Sequence, residues 1–421
     1  MRSSLGHHTI TIFQRLTYSE AMDIKRALDY YDEVRVRPSK SKGSYGYPNK
    51  YFGEYLCKDK GIRWELRFND ELSGIIQPSI DSRSLSYQRE PKTCSIKATI
   101  NPKVFIGIKD YLTAASAEHI EELETQFNME AARIAPVFGT FNHYFLNRTD
   151  YCFNFDPVEL LMGCTAKRLL ELIKRGDIPK HFNLAMKYDE RSRKMKPHKN
   201  DFRLWNKSVT ASCYHKYAQL VDRFLGCPDL EYARNIIRFE IKYKYPKMYA
   251  MSRSIKELLK MELSFKDLME EVKCGGVVNP TKNLLSDDFA AGVIQQYFDK
   301  IIRKGDYFSL KGAEWMVKSH NFRRDKEERL FFALEVVNKY RGIAKAKAKL
   351  SGVDLTDFKR SLKDLDAIYV NPVTIPRDWD IPHISNPLRA YYKGIYTEQM
   401  ITKKEFSFEC LLAEYLSGQN S

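Results

Sequence analysis

The chain predicts an α+β protein: an antiparallel sheet backed by helices, followed by a helical C-terminal domain. Three observations lead there. Segments in the first hundred residues, and again between about 141 and 245, alternate apolar and polar side chains with the period of half-buried strands. One long segment between them, and most of the chain beyond residue 252, repeats apolar residues at helical spacing. The 421 residues exceed one ordinary core, so two domains are expected, at 1–260 and 261–421. A hydrophobic share of 43% with 13% aromatics supplies a sizeable core and argues against wholesale disorder.

Taken in order, Ile62 to Phe68 and Cys94 to Ile100 alternate and read as strands, the second ended by Asn101-Pro102. Gly43 to Tyr51 holds Gly46 and Pro48 and reads as an exposed loop. Ile120, Leu123, Phe127, Ala131 and Ile134 form one apolar stripe, opposed by an acidic face, and predict a helix packed on a sheet. Strand pattern returns over Phe141 to Asp156. Ala166 to Arg175 reads as a helix stopped by Gly176 and Pro179. Strands are expected again through Phe202 to Lys216 and Asn235 to Tyr245. Helices are expected over Ile255 to Val272, Asp287 to Ile302, Gly312 to Val317 and Glu327 to Lys349, with a boundary near Gly275-Gly276 and Pro280. Pro372, Pro376, Pro382 and Pro387 suggest a tail that wraps a surface.

The formal net charge is +15 and the pI near 9.2. That excess points to a polyanionic partner, nucleic acid first. The eight cysteines form no C-x-x-C pair, which argues against a zinc ribbon and for buried, reduced thiols. The first residues carry no continuous apolar run, so no secretory signal is expected. No stretch approaches eighteen apolar residues, so no membrane span is expected either.

Three strand triplets carry the chemistry: Arg148-Thr149-Asp150, Tyr214-His215-Lys216 and Arg238-Phe239-Glu240. The outer residues of each share a face. In the first, Thr149, Tyr151, Phe153 and Phe155 should be buried while Arg148, Asp150, Cys152 and Asn154 face the other way. In the third, Ile237, Phe239 and Ile241 face a core, opposite Arg238 and Glu240. An Arg and an Asp two apart can be an ion pair and nothing more. Its repetition as Arg238 and Glu240 changes the weighing. Two carboxylates on neighbouring strands repel unless a cation lies between them, and Mg²⁺ or Mn²⁺ prefers such oxygen ligands. A free tyrosine, with a pKa of about 10, is a poor nucleophile. A bound metal and Lys216 would favour its phenolate and neutralise a phosphate under attack, so Tyr214 becomes the candidate nucleophile. Tyr243, Tyr245 and Tyr249 are runners-up.

Some signals are absent. There is no His-x-His pair, and His7-His8 on a strand would point opposite ways. There is no phosphate-binding loop for ATP and no G-x-S-x-G elbow. The segment Lys187 to Lys199, with Arg191, Arg193, Lys194, Lys196 and Lys199, is either a solvated loop or a phosphate-contacting one. Arg323, Arg324, Lys326, Lys345, Lys347 and Lys349 offer further basic groups. Phe331, Leu334, Val337 and Tyr340 form an apolar stripe, best read as core.

With those residues in view, the chain resembles the rolling-circle replication initiators of phages and plasmids, typified by the gene II proteins of filamentous phages. The likeness covers roughly residues 90–250. It rests on Ile96-Lys97-Ala98 with Pro102, Arg148 to Asp150, Trp205-Asn206 leading to Tyr214 to Lys216, and Leu230-Glu231-Tyr232-Ala233 leading to Arg238 to Glu240. The resemblance implies metal-dependent, site-specific nicking and rejoining of one DNA strand. Tyr214 would become joined to a 5′ phosphate, Asp150 and Glu240 would ligate metal, and Lys216, Arg148 and Arg238 would hold phosphate or orient the carboxylates. Implied partners are origin DNA, duplex and single-stranded, in the cytoplasm of a host bacterium. The helical part would bind DNA, dimerise or dock a host helicase. A non-catalytic origin binder and a plasmid mobilisation relaxase remain as alternatives, and the third metal ligand stays open.

Overall fold

The structure is a computed structural model that describes residues 3–17, 19–20, 23, 26, 44–48, 53–57, 61–67, 75–80, 94–108, 110, 112–134, 138–189, 193–198, 201–223, 230–262 and 280–395. Long runs of β-branched and aromatic residues at alternate positions give one fully antiparallel sheet of eleven strands. Strand β1 (Ser4–Leu16) lies in its middle. On one side follow β6 (Cys94–Ile100), β5 (Ile75–Ile80), β4 (Gly61–Arg67), β3 (Gly53–Cys57) and β2 (Ser44–Pro48) at the edge. On the other follow β7 (Phe145–Phe155), β13 (Ile237–Tyr243), β12 (Val209–His215), β11 (Asp201–Trp205) and the short β8 (Asn183–Leu184). The segment expected as a loop around Gly46 and Pro48 is thus an edge strand. An edge position tolerates a proline because no partner needs its missing N–H.

One face of the second half carries the core. Tyr151, Phe153, Phe155, Ile237, Phe239, Ile241, Ala211, Cys213, Phe202 and Leu204 are buried on it. Helix α7 (Asp287–Ile301) packs there, with the Phe298 ring 5.4 Å from Phe239 and 6.2 Å from Phe153. Its start is set by Ser286, whose hydroxyl accepts the N–H of Phe289, with Asp287 and Asp288 in the first turn. The expected helix at 120–134 is α2 (Ala117–Ile134), which buries Ile120, Leu123, Phe127 and Ala131. Helix α1 (Pro102–Phe105) precedes it, and α3 (Ala166–Ile173) begins at the Thr165 cap.

Helix α5 (Tyr245–Glu262) starts ten residues before the expected helix at Ile255, directly after β13; α6 (Thr281–Leu284) and α8 (Leu310–Lys318) follow. The single helix expected over Glu327 to Lys349 is broken into α9 (Arg324–Tyr340) and α10 (Ile343–Lys347). Arg341 turns left-handed at φ 54 and Gly342 takes φ 145. A Cβ on Gly342 would stand 3.0 Å from the carbonyl of Arg175, so the break sets α10 against the end of α3. Leu334 and Val337 of the expected stripe are core. Helices α11 (Gly352–Ala367) and α12 (Pro387–Ile395) complete the chain as described.

The proline-rich tail does not wrap a surface. Val370, Asn371, Val373, Thr374 and Ile375 are buried. The Asn371 amide donates to the carbonyl of Ile302 at 2.8 Å, and β15 (His383–Ile384) pairs with β14 (Tyr307–Phe308). Proline stops helices and ladders but does not prevent an extended segment from being threaded inside when its N–H groups find carbonyls, here those of Asp306 and Phe308 for Asn371 and Ile375. One core runs from Ile10 to Tyr391. Cys152 and Cys213 are buried free thiols, as expected. No helix among the described residues is long and apolar enough to cross a membrane.

Candidate active site

Register brings the triplets together. Asp150 stands opposite Lys242 and Asn154 opposite Arg238, while Arg238 stands opposite Tyr214 and Glu240 opposite Ser212. Directly opposed residues share a face. One face therefore carries Arg148, Asp150, Asn154, Arg238, Glu240, Lys242 and Tyr214. The Tyr214 hydroxyl donates to Glu240 Oε2 at 3.2 Å.

The third acid–base partner comes from β1. Register between β1 and β7 slips between His7↔Tyr151 and Thr9↔Asp150, so His8 is the extra residue of a β-bulge. His7 turns to the core, 5.4 Å from the Tyr151 ring, and His8 turns to the site, with Nδ1 3.7 Å from Glu240 Oε2. The two histidines do face opposite ways, and that is what delivers His8. Gly6 fixes the approach: a Cβ there would lie 2.1 Å from the carbonyl of Ala115, which accepts the His7 N–H at 2.8 Å.

One ligand atom each from His8, Asp150 and Glu240 lies within 4.8 Å of the others. Burial, and then the cations Arg238, Lys216, Lys242 and Arg148, hold the His8 pKa well below its ordinary value, so its ring keeps a lone pair to give. Burial and the Glu240 charge push the Asp150 carboxyl up to about 6. Two crowded carboxylates beside a neutral imidazole are a donor set suited to a divalent cation. Arg148 Nε donates to Asp150 Oδ1 at 2.9 Å and its Nη2 donates to Oδ2, while Lys242 lies 3.5 Å from Oδ2. A carboxylate has about four acceptor positions, so those contacts leave room for a further ligand.

Tyr214 is partly exposed. Burial of the hydroxyl, reinforced by Glu240, pushes the phenol well above its usual range, and Arg238 opposes that push. The Arg238 guanidinium is fully buried, with Nε donating to Asn154 Oδ1 at 2.6 Å. Lys216 lies beyond the end of the strand, as the first residue of α4 (Lys216–Arg223). It is buried, and its Nζ donates to Gln219 at 3.0 Å. The expected strand ends at His215, yet Lys216 keeps the ladder register, its N–H donating to the Ile236 carbonyl at 2.9 Å, and its charge reaches His8. Tyr243 is buried on the core face, its ring 5.4 Å from Tyr151, whereas Tyr245 and Tyr249 sit exposed on α5.

The basic segment is a hairpin rather than a loop, made of β9 (Met186–Asp189) and β10 (Lys194–Pro197). Arg193, Lys194 and Lys196 are exposed on it, and Arg191 and Lys199 lie outside the described residues. Several C-terminal basic groups are already matched by carboxylates: Arg324 with Glu328 at 2.8 Å, Lys326 with Asp364 at 3.5 Å, and Lys347 with Asp177.

No family model matches the chain, and no curated protein sequence does. Among solved structures the chain is similar to a rolling circle replication initiator protein from Geobacillus stearothermophilus, at 10% identity and a TM-score of 0.29. The match covers 60% of this chain and 78% of that one.

Proposed function

We propose that this protein is a metal-dependent DNA nicking and joining enzyme of rolling-circle replication, working through Tyr214. The observation that carries the reading is one phenol hydrogen-bonded to a carboxylate that itself belongs to a three-donor cluster. His8, Asp150 and Glu240 would hold the cation. The imidazole tilts the choice within the Mg²⁺/Mn²⁺ pair toward Mn²⁺. When bound, that cation would favour the phenolate and neutralise charge on the phosphate.

The chain's own residues do the rest. Tyr214 Oη attacks phosphorus, the P–O3′ bond breaks, and the 5′ phosphate stays on the tyrosine. Glu240 accepts the hydrogen bond of the phenol and is placed to receive its proton, while the departing 3′ oxygen is protonated by solvent. Arg238, buried beside Tyr214, offsets the cost of the phenolate. Arg148 and Lys242 orient Asp150. The phosphodiester energy is kept in the tyrosyl bond, so rejoining needs no ATP, in keeping with the missing phosphate-binding loop.

Supercoiled origin plasmid with Mn²⁺ tests the reading. Open-circle product and a protein joined to the 5′ end support it; a retarded but intact plasmid supports the non-catalytic binder instead. Mass spectrometry of the digested adduct names the linked residue.

A further inference from the structure

The site face does not end at Tyr214. Its rows continue in register to the sheet edge. Asp150, Lys242, Thr210 and Trp205 stand opposite one another in turn, and Glu240, Ser212 and Arg203 form the next row. At ~4.8 Å per strand, Trp205 lies about 14 Å from Asp150. In that row Lys242 and Thr210 stand between them, with Ser212 in the next row. At its far end Trp205 is 46% exposed, on a face whose other members are polar, with Arg203 exposed beside it.

The hairpin leaves from the same edge. Leu184 pairs with Leu204, the Ala185 N–H donates to the Arg203 carbonyl at 2.8 Å, and β9 begins at the next residue. Its base is tied down by Lys174, which donates to the His198 carbonyl at 2.6 Å. Lys187 faces Lys196 and Lys194 faces Asp189 on one side. Tyr188 faces Met195 on the other, 55% and 54% exposed. A cationic side suits the phosphates of unpaired nucleic acid, and an exposed ring such as that of Trp205 suits a base face.

We propose that Trp205, with Arg203 and the Lys187/Lys194 side of the hairpin, is a subsite for single-stranded DNA, in which Trp205 stacks on an unpaired base of the strand leading from the cleaved phosphate. The location relative to the scissile bond rests on the nicking reading; the affinity for unpaired DNA does not. Duplex DNA hides its base faces in the stack, so Trp205 discriminates between the two forms.

The test uses the full chain in EDTA, where no cleavage takes place, with a fluorescein-labelled dT16 and a labelled 16-base-pair duplex as probes. Trp205→Ala is expected to weaken dT16 binding about tenfold and leave duplex binding within about twofold, while Trp205→Phe recovers most of the loss. Lys187→Ala/Lys194→Ala should lower the log–log salt slope for dT16 by about 1.4, at about 0.7 per phosphate. Wild-type dT16 affinity in Trp205→Ala, or equal loss on both probes, overturns the subsite. If these results hold while a Tyr214→Phe chain still forms an adduct, the nicking assignment of Tyr214 falls and the subsite stands.

Discussion

Replacing Asp150 by Asn should make the metal-free protein more stable, not less. Asp150 is 1% exposed, and its carboxyl is pushed up to about 6 by burial and by Glu240, against 3.8 ordinarily. A raised carboxyl pKa means that the fold prefers the protonated acid. The sign follows: its contribution to stability is full below the unfolded pKa and is lost as pH rises through about 6. At about 1.4 kcal/mol per unit, the wild-type carboxylate costs about 3 kcal/mol at pH 8. Asn mimics the uncharged acid and removes that cost. With about 2.1 cal/mol/K of unfolding entropy per residue over 421 residues, the gain is about 3 °C in melting temperature. Calorimetry in EDTA should show the variant melting higher at pH 8 and level with wild type near pH 4. Mn²⁺ at about a hundred times its Kd should raise the wild type by about 2.7 kcal/mol and the variant by much less. A variant that melts lower than wild type at pH 8 in EDTA would mean that Asp150 exists to pair with Arg148, and the metal cluster would lose its basis.

Tyr214→Phe should abolish the SDS-resistant DNA adduct and leave origin binding within about tenfold, since one hydrogen bond is worth about 0.5–1.5 kcal/mol; adduct formation by the variant refutes the assignment. His8→Ala and Glu240→Gln should each weaken Mn²⁺ binding at least tenfold by titration calorimetry, because each removes one of three donors. Undiminished affinity in His8→Ala would exclude the bulge residue as a ligand. His7 is a separate case: burial lowers its pKa to about 4 from 6.5, so stability is lost as pH falls from 6.5 toward 4, by about 3 kcal/mol. His7→Leu should flatten that acid-side decline in melting temperature relative to wild type, and an unchanged slope would refute the account.

Alternation alone placed the residues of β7 and β13 on their correct faces, because half-buried strands write their burial with period two. The pairing of Tyr214 with Glu240 was likewise legible, since only a sheet could bring the three triplets together. His8 was not. Its direction depends on a one-residue slip between strands 140 positions apart, and no local pattern marks such a bulge. The handover from strand to helix at Lys216 was not legible, because its N–H still donates to the Ile236 carbonyl in the register of β12 and β13 while the helix begins there. The break at Gly342 is set by the distant backbone of Arg175, so an unbroken helical period ran straight through it. The proline-rich residues 370–376 looked superficial, yet the carbonyls of Asp306 and Phe308 accept the N–H groups of Asn371 and Ile375, and the Asn371 amide oxygen accepts that of Val373.

Ribosomes deliver this chain from one end, but its donors stand at positions 8, 150 and 240, and the strand bearing the first is clamped between β6 and β7. Without β13 the site owns at most two of the three donors. On the proposed reading, metal-dependent nicking would therefore require β13 to be in place beside β1 and β7.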